Sequence, residues 1–413
     1  MTQAPPRVPR TANPKAAPAP NADPAPVPEP RLRRRPGYLG AVHVVQLLLV
    51  EAVALGILGA LTSNFVVAGI VAAVGGALVV AATLRHNGRW WFERLTVGRQ
   101  FRRRRAAADV AEPDSRLAAL NWLSAGLTAT DVGPNGGAQT GIVCDAAGWY
   151  GVIAIGAAAS VRGDGGPGVP LDTLVRTLND AEQPGTVLQV VTHSVPAPDP
   201  GIDGRPLAAH SYQELQHLAG PVPADRTTWV AVRLDARCRA EAGVADGYDA
   251  QHAPALVAGL VRRVSRSLRE SGLAHRILPA DELIDALIRA CDLDPGGVAQ
   301  PPREEWTAWH STRAAHASFW LRQWPRMADA ATMLGDLSTT PPASTTVSLA
   351  LTRDGDQLAM RCLVRVAAPA DGLERVCETL VHGARAVNAE LFRLDGEQGP
   401  AVYASAPTGG GAT

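Results

Sequence analysis

Lysine is nearly missing from this chain. Lys and Arg together number 39 in 413 residues, yet Lys15 is the only lysine. That excludes a phosphate-binding GK[ST] loop, a kinase-type strand lysine and a Schiff-base nucleophile. The glycine stretch GDGGPG at 163–168 therefore reads as a surface turn and not as a phosphate cradle. Cysteine is scarce as well. Cys144, Cys238, Cys291, Cys362 and Cys377 form no CxxC pair and no zinc spacing, so they read as reduced structural thiols. No HExxH occurs, and His193, His210, His217, His310 and His316 lack metal-ligand spacing. Ser211 and Ser344 lack a GxSxG setting. Two Asp-x-Asp triplets, 292–294 and 354–356, are of the kind that holds a divalent metal on a nucleotide sugar. About one such triplet is expected by chance among this many aspartates. No catalytic residue, cofactor site or metal site emerges from these patterns.

What the chain does have is two long apolar runs near its start. Residues 38–61 and 65–84 are each long enough to cross ~30 Å of hydrocarbon at ~1.5 Å per residue. Thr62, Ser63 and Asn64 between them can do little more than turn the chain round. The runs are longer than the ~7–15-residue core of a signal peptide, and they lack the polar face that a buried helix of a soluble domain keeps. They predict a transmembrane helical hairpin spanning 37–84. Arg31, Arg33, Arg34 and Arg35 precede the first run. Arg85, Arg89, Arg94, Arg99 and Arg102 to Arg105 follow the second, while the turn carries no charge. The positive-inside rule then places both termini in the cytoplasm.

The stretch GRWWFERLTVGRQFRRRR after the hairpin (88–105) admits two readings. Aromatics beside arginines can grip nucleic acid, or they can form the collar of a membrane helix. Net charge separates them. The whole chain is neutral, but the segments flanking the apolar runs are basic and the remainder after Arg105 has an excess of acidic residues. A nucleic-acid-binding domain would carry the basic face itself. Trp90, Trp91, Phe92, Arg94, Arg102, Arg103, Arg104 and Arg105 are therefore the candidate membrane-interface residues, facing lipid headgroups and not nucleic acid. Within the first run, Glu51 is costly in lipid, at least ~2.5 kcal/mol. Counting out from the turn sets it level with Gly75 and Gly76, which let two helices approach closely but offer no side-chain donor. Either Glu51 is protonated and bonds a backbone carbonyl, or its partner lies on another subunit.

The rest divides simply. Residues 1–36 form a Pro/Ala-rich leader that cannot bury enough surface to fold. Residues 85–113 are a basic juxtamembrane segment and linker, 114–406 a cytoplasmic domain, and 407–413 a Gly-rich flexible tail. No internal repeat is evident. Short apolar runs at 127–132, 141–144 and 149–155, broken by GPNGG and DAAG turns, predict a strand meander. Helices are predicted over 171–180, 255–271, 281–291 and 372–388, and a capping box predicts one starting at Tyr212. Strands are predicted at 186–195, 228–234 and from Ile277. A hairpin is predicted between 345–352 and 358–366, and two short strands after the last helix. The class is α/β with a mixed sheet. Trp306, Trp309, Trp320 and Trp324 are dense enough to suggest either core or interface.

The order of parts resembles the EccE family, a membrane component of the actinobacterial type VII (ESX) secretion machinery. The pieces carrying the resemblance are the two apolar runs with GRWWFERL and the arginine run, LAAL with GLTATDV, and GIVCDAAGWYGVIAIG. They continue through HSYQEL, RTTWVAVRLDAR, LPADELIDAL, EEWTAWHSTRAAHASFWLRQWP, TTVSLALTRDG, LVRVAAP and LFRLDGEQGPAVYASAP. The resemblance implies a non-catalytic structural subunit assembling with EccB-, EccC- and EccD-like subunits into an oligomeric complex of the cytoplasmic membrane. It also implies that the motor is the EccC-type ATPase, and that the soluble domain has a glycosyltransferase-like shape without an active site. A membrane-tethered transferase using a nucleotide-linked donor is the alternative.

Overall fold

The computed structural model describes residues 38–39, 42–62, 65–83, 85–86, 89–105, 114–133, 138–156, 168–181, 183–195, 225–236, 252–295, 301–337, 344–355 and 357–410. The Pro/Ala leader, the GDGGPG turn apart from Gly168, the helix expected from Tyr212, and Cys238 lie outside the described residues.

The first apolar run is helical only from Val44. Strands β1 (Tyr38–Leu39) and β2 (Val42–His43) pair with each other ahead of it. Helix α1 (Val44–Leu61) and helix α2 (Phe65–Thr83) then form an antiparallel pair. Leu95, Trp122 and Leu171 apart, the large apolar side chains that are exposed among the described residues belong to these two helices. Leu48, Leu55, Leu58, Phe65, Val66 and Ile70 are all more than half exposed. Side chains are described over 46–62 and 65–80, and among the described residues no helix is long and apolar enough to cross a membrane. The pair β3 (Arg85–His86) and β4 (Arg89–Trp90) then leads into helix α3 (Trp91–Arg105).

Helix α4 (Ser115–Asn121) opens the large domain. Asp114 caps it, accepting the Arg116 N–H at 2.8 Å. Strands β5 (Thr128–Val132), β6 (Thr140–Asp145) and β7 (Gly148–Ile155) make the expected meander. The β6–β7 turn is tight because Asp145 accepts the Ala147 N–H at 2.9 Å. Gly148, at φ +144°, lies where a Cβ would come within 2.2 Å of the Leu234 carbonyl.

From β7 the chain runs through α5 (Leu171–Asn179), β8 (Thr186–Val195), β9 (Asp225–Asp235), α6 (Ala253–Glu270), β10 (His275–Ile277) and α7 (Ala280–Ala290). β9 inserts between β7 and β8, and β10 flanks β7, giving the order β10-β7-β9-β8. This is the split β-α-β, or ferredoxin-like, arrangement. After two short strands, β11 (Arg303–Glu304) and β12 (Trp309–His310), the same pattern returns. It consists of β13 (Ala315–Gln323), α8 (Met327–Leu337), β14 (Ser344–Asp354), β15 (Gln357–Ala368), α9 (Leu373–Ala386), β16 (Glu390–Arg393) and α10 (Gln398–Ser405), with order β16-β13-β15-β14. The domain is thus an internal duplication. Its halves join through their equivalent strands, β8 and β14, which pair antiparallel from Val195's neighbour Ser194 (opposite Thr345) to Val187 (opposite Thr352). Antiparallel pairing of like with like is the mark of a local two-fold.

Two expectations are corrected here. A repeat is present, and the sheet is not mixed, because every pairing among the described residues is antiparallel. Tight turns join β6 to β7 and β14 to β15, and a third strand separates the strands that run parallel, so no parallel neighbours arise. The last segment also differs from the expected pair of strands: one strand, β16, is followed by helix α10.

Alternation along the strands sorts the core. Val347 and Leu349 of β14 pack with α8 and α9, while Leu351, on the same face, packs with α5 and α6. All four helices therefore cover one face. On the other face Tyr150, Val191 and Trp229 meet α4, α7 and α10. Helix α6 holds its place through Val257, Val261, Val264 and Leu268, spaced at three and four residues and buried.

Candidate functional site: the seat of the basic helix

Helix α3 does not lie free. Its residues Arg94, Val97, Phe101 and Arg104 recur at three- and four-residue steps, so they share one face, and that face meets the large domain. The Arg94 guanidinium lies 5.7 Å over the Trp306 ring. Phe101 meets the same indole edge-on with centroids 5.5 Å apart. Val97 is buried. Arg104 donates to both carboxylate oxygens of Glu304, at 3.1 Å each, and to the Gly396 carbonyl at 2.6 Å. A two-pronged guanidinium–carboxylate bond of this kind fixes orientation as well as distance.

The receiving surface is itself braced. Glu304 is almost fully buried and also accepts the Gly399 N–H at 3.0 Å, at the start of α10. Gly396 stands at φ +77° and donates its N–H to the Trp306 carbonyl at 2.6 Å. A Cβ there would come within 2.8 Å of both the Trp306 ring and Val97. Glycine is required because α3 and Trp306 close over it.

This divides the expected collar in two. Arg94 and Arg104 turn inward to the domain, and Arg105 lies over the Phe101 ring at 5.7 Å. Arg102 and Arg103, with Arg99 and Leu95, are exposed on the opposite side. Trp90 falls in β4 and Trp91 and Phe92 at the start of α3, and the side chains of these three lie outside the described residues. In the hairpin, Gly75 packs against Val53, so closely that a Cβ would come within 2.4 Å of a Val53 methyl. Gly76 meets nothing within 4 Å and Glu51 is exposed. The close approach of the two helices falls at Gly75 and Val53, two residues beyond Glu51. Sequence reasoning missed Glu304, Trp306 and Gly396 as the seat. The dense tryptophans around 306–324 were the available signal.

Beside the seat, between α3, α4, β11 and the start of α10, lies a cleft of about 510 Å³. Arg104, Arg105, Arg303, Glu304, Trp122 and Trp309 are among the residues lining it.

Polar groups buried elsewhere are built into the fold. Arg233 and Asp145 form an ion pair with both side chains at most 2% exposed. Burial opposes the Arg233 charge, but the Asp145 hydrogen bond and charge hold its pKa above the ordinary value. Tyr403 donates to Asp145 at 2.8 Å and shares a hydrogen bond with Tyr150 at 3.0 Å. Residues 407–410, expected as part of a flexible tail, fill the space beyond. Arg233 donates to the Thr408 carbonyl at 2.8 Å, the Gly409 N–H donates to Gln189 at 2.7 Å, and Arg361 donates to the Gly410 carbonyl. All four of these tail residues are buried.

Asp292, from one of the Asp-x-Asp triplets, is likewise occupied. It accepts from Ser311 at 2.6 Å, lies 3.2 Å from His316 Nε2 and pairs with Arg313. Burial works against its charge, but His316, Ser311 and Arg313 hold its pKa well below the usual carboxylate range. Its φ of +55° is unusual for a residue other than glycine. Asp354 sits in the β14–β15 turn beside Gly355 at φ +61°. Among the described residues no group of His, Cys, Asp and Glu is placed to hold a metal ion.

Residues 222–321 match the family model described as "Putative type VII ESX secretion system translocon, EccE". That stretch of the chain is similar to the EccE family of type VII secretion components. The matched segment runs from β9 into β13 and contains Glu304 and Trp306, the receiving half of the α3 seat. No curated protein matches the chain.

Proposed function

We propose that this chain is a non-catalytic structural subunit of a type VII (ESX) membrane complex, anchored by α1 and α2 with its large domain in the cytoplasm. The family match over 222–321 carries this reading. Supporting it, α1 and α2 have 18 and 19 residues, about 27–28 Å at 1.5 Å per residue, close to the ~30 Å of a hydrocarbon core. Their large side chains are exposed on all sides, which water disfavours and lipid does not. The arginines on either side of the hairpin, with none in its turn, orient it with both termini inside.

Within this reading Arg102, Arg103 and Arg99 face lipid headgroups, while Arg94 and Arg104 hold the domain. EccB-, EccC- and EccD-like subunits are its neighbours, and Glu51 docks the hairpin onto one of their membrane helices. Glu51→Leu then inserts as well as wild type but copurifies poorly with them. The engagement of Asp292 by Ser311, Arg313 and His316 favours the structural role over a metal-dependent transferase.

Cysteine labelling tests the anchor. A cysteine at Ser63 should react with an impermeant thiol reagent in cells stripped of outer layers, and one at exposed Glu270 should not. The reverse pattern would overturn the topology.

A further inference from the structure

The cleft beside the α3 seat has the makings of a binding surface. Its volume of about 510 Å³ is ligand-sized. Arginines dominate its charge: Arg104, Arg105 and Arg303 against Glu304. Arg104 is committed to Glu304 and Arg303 to Glu305. Arg105 has no carboxylate partner among the described residues; its guanidinium only lies over Phe101. Trp309 is 2% exposed, and its buried indole Nε1–H has no hydrogen-bond acceptor among the described residues. A buried donor left unmatched is costly, so it calls for an acceptor that the described residues do not supply. Trp122, on the open side, is 44% exposed. Tryptophan and arginine around a concave apolar floor are the residues that carry most interface energy.

From these groups we infer that the cleft receives an acidic peptide segment of a neighbouring subunit. One Asp or Glu of that segment pairs with Arg105 and accepts from Trp309, and an apolar neighbour packs on Trp122. The inference rests on the translocon reading and names the surface through which that assembly holds this chain. Because Arg104 and Glu304 line the cleft and also clamp α3, an occupant would touch the joint between hairpin and domain.

The test uses the full chain in nanodiscs of zwitterionic lipid. The probes are fluorescent peptides tiling the soluble segments of the EccB-, EccC- and EccD-like subunits of the same organism. An acidic peptide with an adjacent apolar residue should bind. Arg105→Glu and Trp122→Ala, both at exposed positions, should each weaken it about tenfold, as should neutralising the peptide's carboxylate. Thermal melts confirm that both variants fold.

Three results would overturn the inference: no peptide that distinguishes wild type from the variants, discrimination by vesicles of anionic lipid but by no peptide, or binding only by a peptide copied from residues 106–113 of this chain. Copurification of the wild-type chain with those subunits is read separately. Its persistence alongside any of these three would remove the cleft and leave the translocon reading standing.

Discussion

Gly409→Ala is a small change with a large expected effect. If residues 407–413 were a flexible tail, an alanine would cost nothing. In the fold, Gly409 stands at φ +78°, and a Cβ would lie 2.2 Å from the Arg233 Cβ and within 3.0 Å of its Cγ and Cδ. The left-handed backbone costs a non-glycine residue about 1–2 kcal/mol. Relieving the overlap moves either Arg233, which is ion-paired to Asp145, or the tail, which gives Gln189 its N–H donor. Overpacking of this kind costs about 1–3 kcal/mol. The sum is about 2–5 kcal/mol. With a urea slope of about 3 kcal/mol per molar for a domain of this size, the midpoint should fall by roughly 0.7–1.7 M. Tryptophan fluorescence of the full chain in detergent reads this directly. Gly410→Ala is the internal comparison: its φ of +86° carries the same strain, but its nearest contact, at 3.0 Å, is the movable end of Arg361. It should cost less. An unchanged midpoint for Gly409→Ala would refute the buried placement of the tail.

Asp145→Asn should cost about 3–5 kcal/mol, because it leaves the Arg233 charge buried without compensation; a stability loss below about 1 kcal/mol would contradict the pairing. A double-mutant cycle on Arg104→Ala and Glu304→Gln should give a coupling of about 1–2 kcal/mol, moderated by the partial exposure of Arg104, and zero coupling would mean that α3 is not seated there. Stability should fall as pH drops below about 6.5. Burial pushes His193 down to about 3, so it is neutral in the fold, whereas in the unfolded chain it takes up a proton from about pH 6.5 downward; burial lowers His316 as well, a shift of the same sign. Stability present above that pH is therefore lost progressively towards pH 3, at up to about 1.4 kcal/mol per pH unit from His193, and His193→Gln should flatten the slope in a urea-midpoint series across pH 4–7.

Much of this architecture was legible from residue periodicity. The meander, the β14–β15 hairpin and helices α5, α6, α7 and α9 fall close to their expected bounds, because each carries a clean two-residue or 3.6-residue apolar pattern. The duplication was not legible. In the first half β8 and β9 are separated by the long segment 196–224, whereas in the second half a tight turn joins β14 to β15, so no fixed period survives. β13 was hidden for another reason. Its residues Ala315 to Ser318 are all buried, so the strand does not alternate clearly between apolar and polar side chains. The seat of α3 depends on contacts between Arg104 and Glu304, two hundred positions apart, and no local pattern can encode that. The tail was misjudged because consecutive glycines, here 409–411, mark both loose linkers and left-handed turns.

The central claim is that this chain is a structural part of an ESX membrane complex. Affinity purification of the full chain in mild detergent, with quantitative mass spectrometry, tests it most directly. The account predicts that EccB-, EccC- and EccD-like subunits co-elute in fixed proportion with this chain, and that deleting it abolishes export without changing ATPase turnover by the isolated EccC-type motor. A chain that elutes alone from cells exporting normally would contradict it.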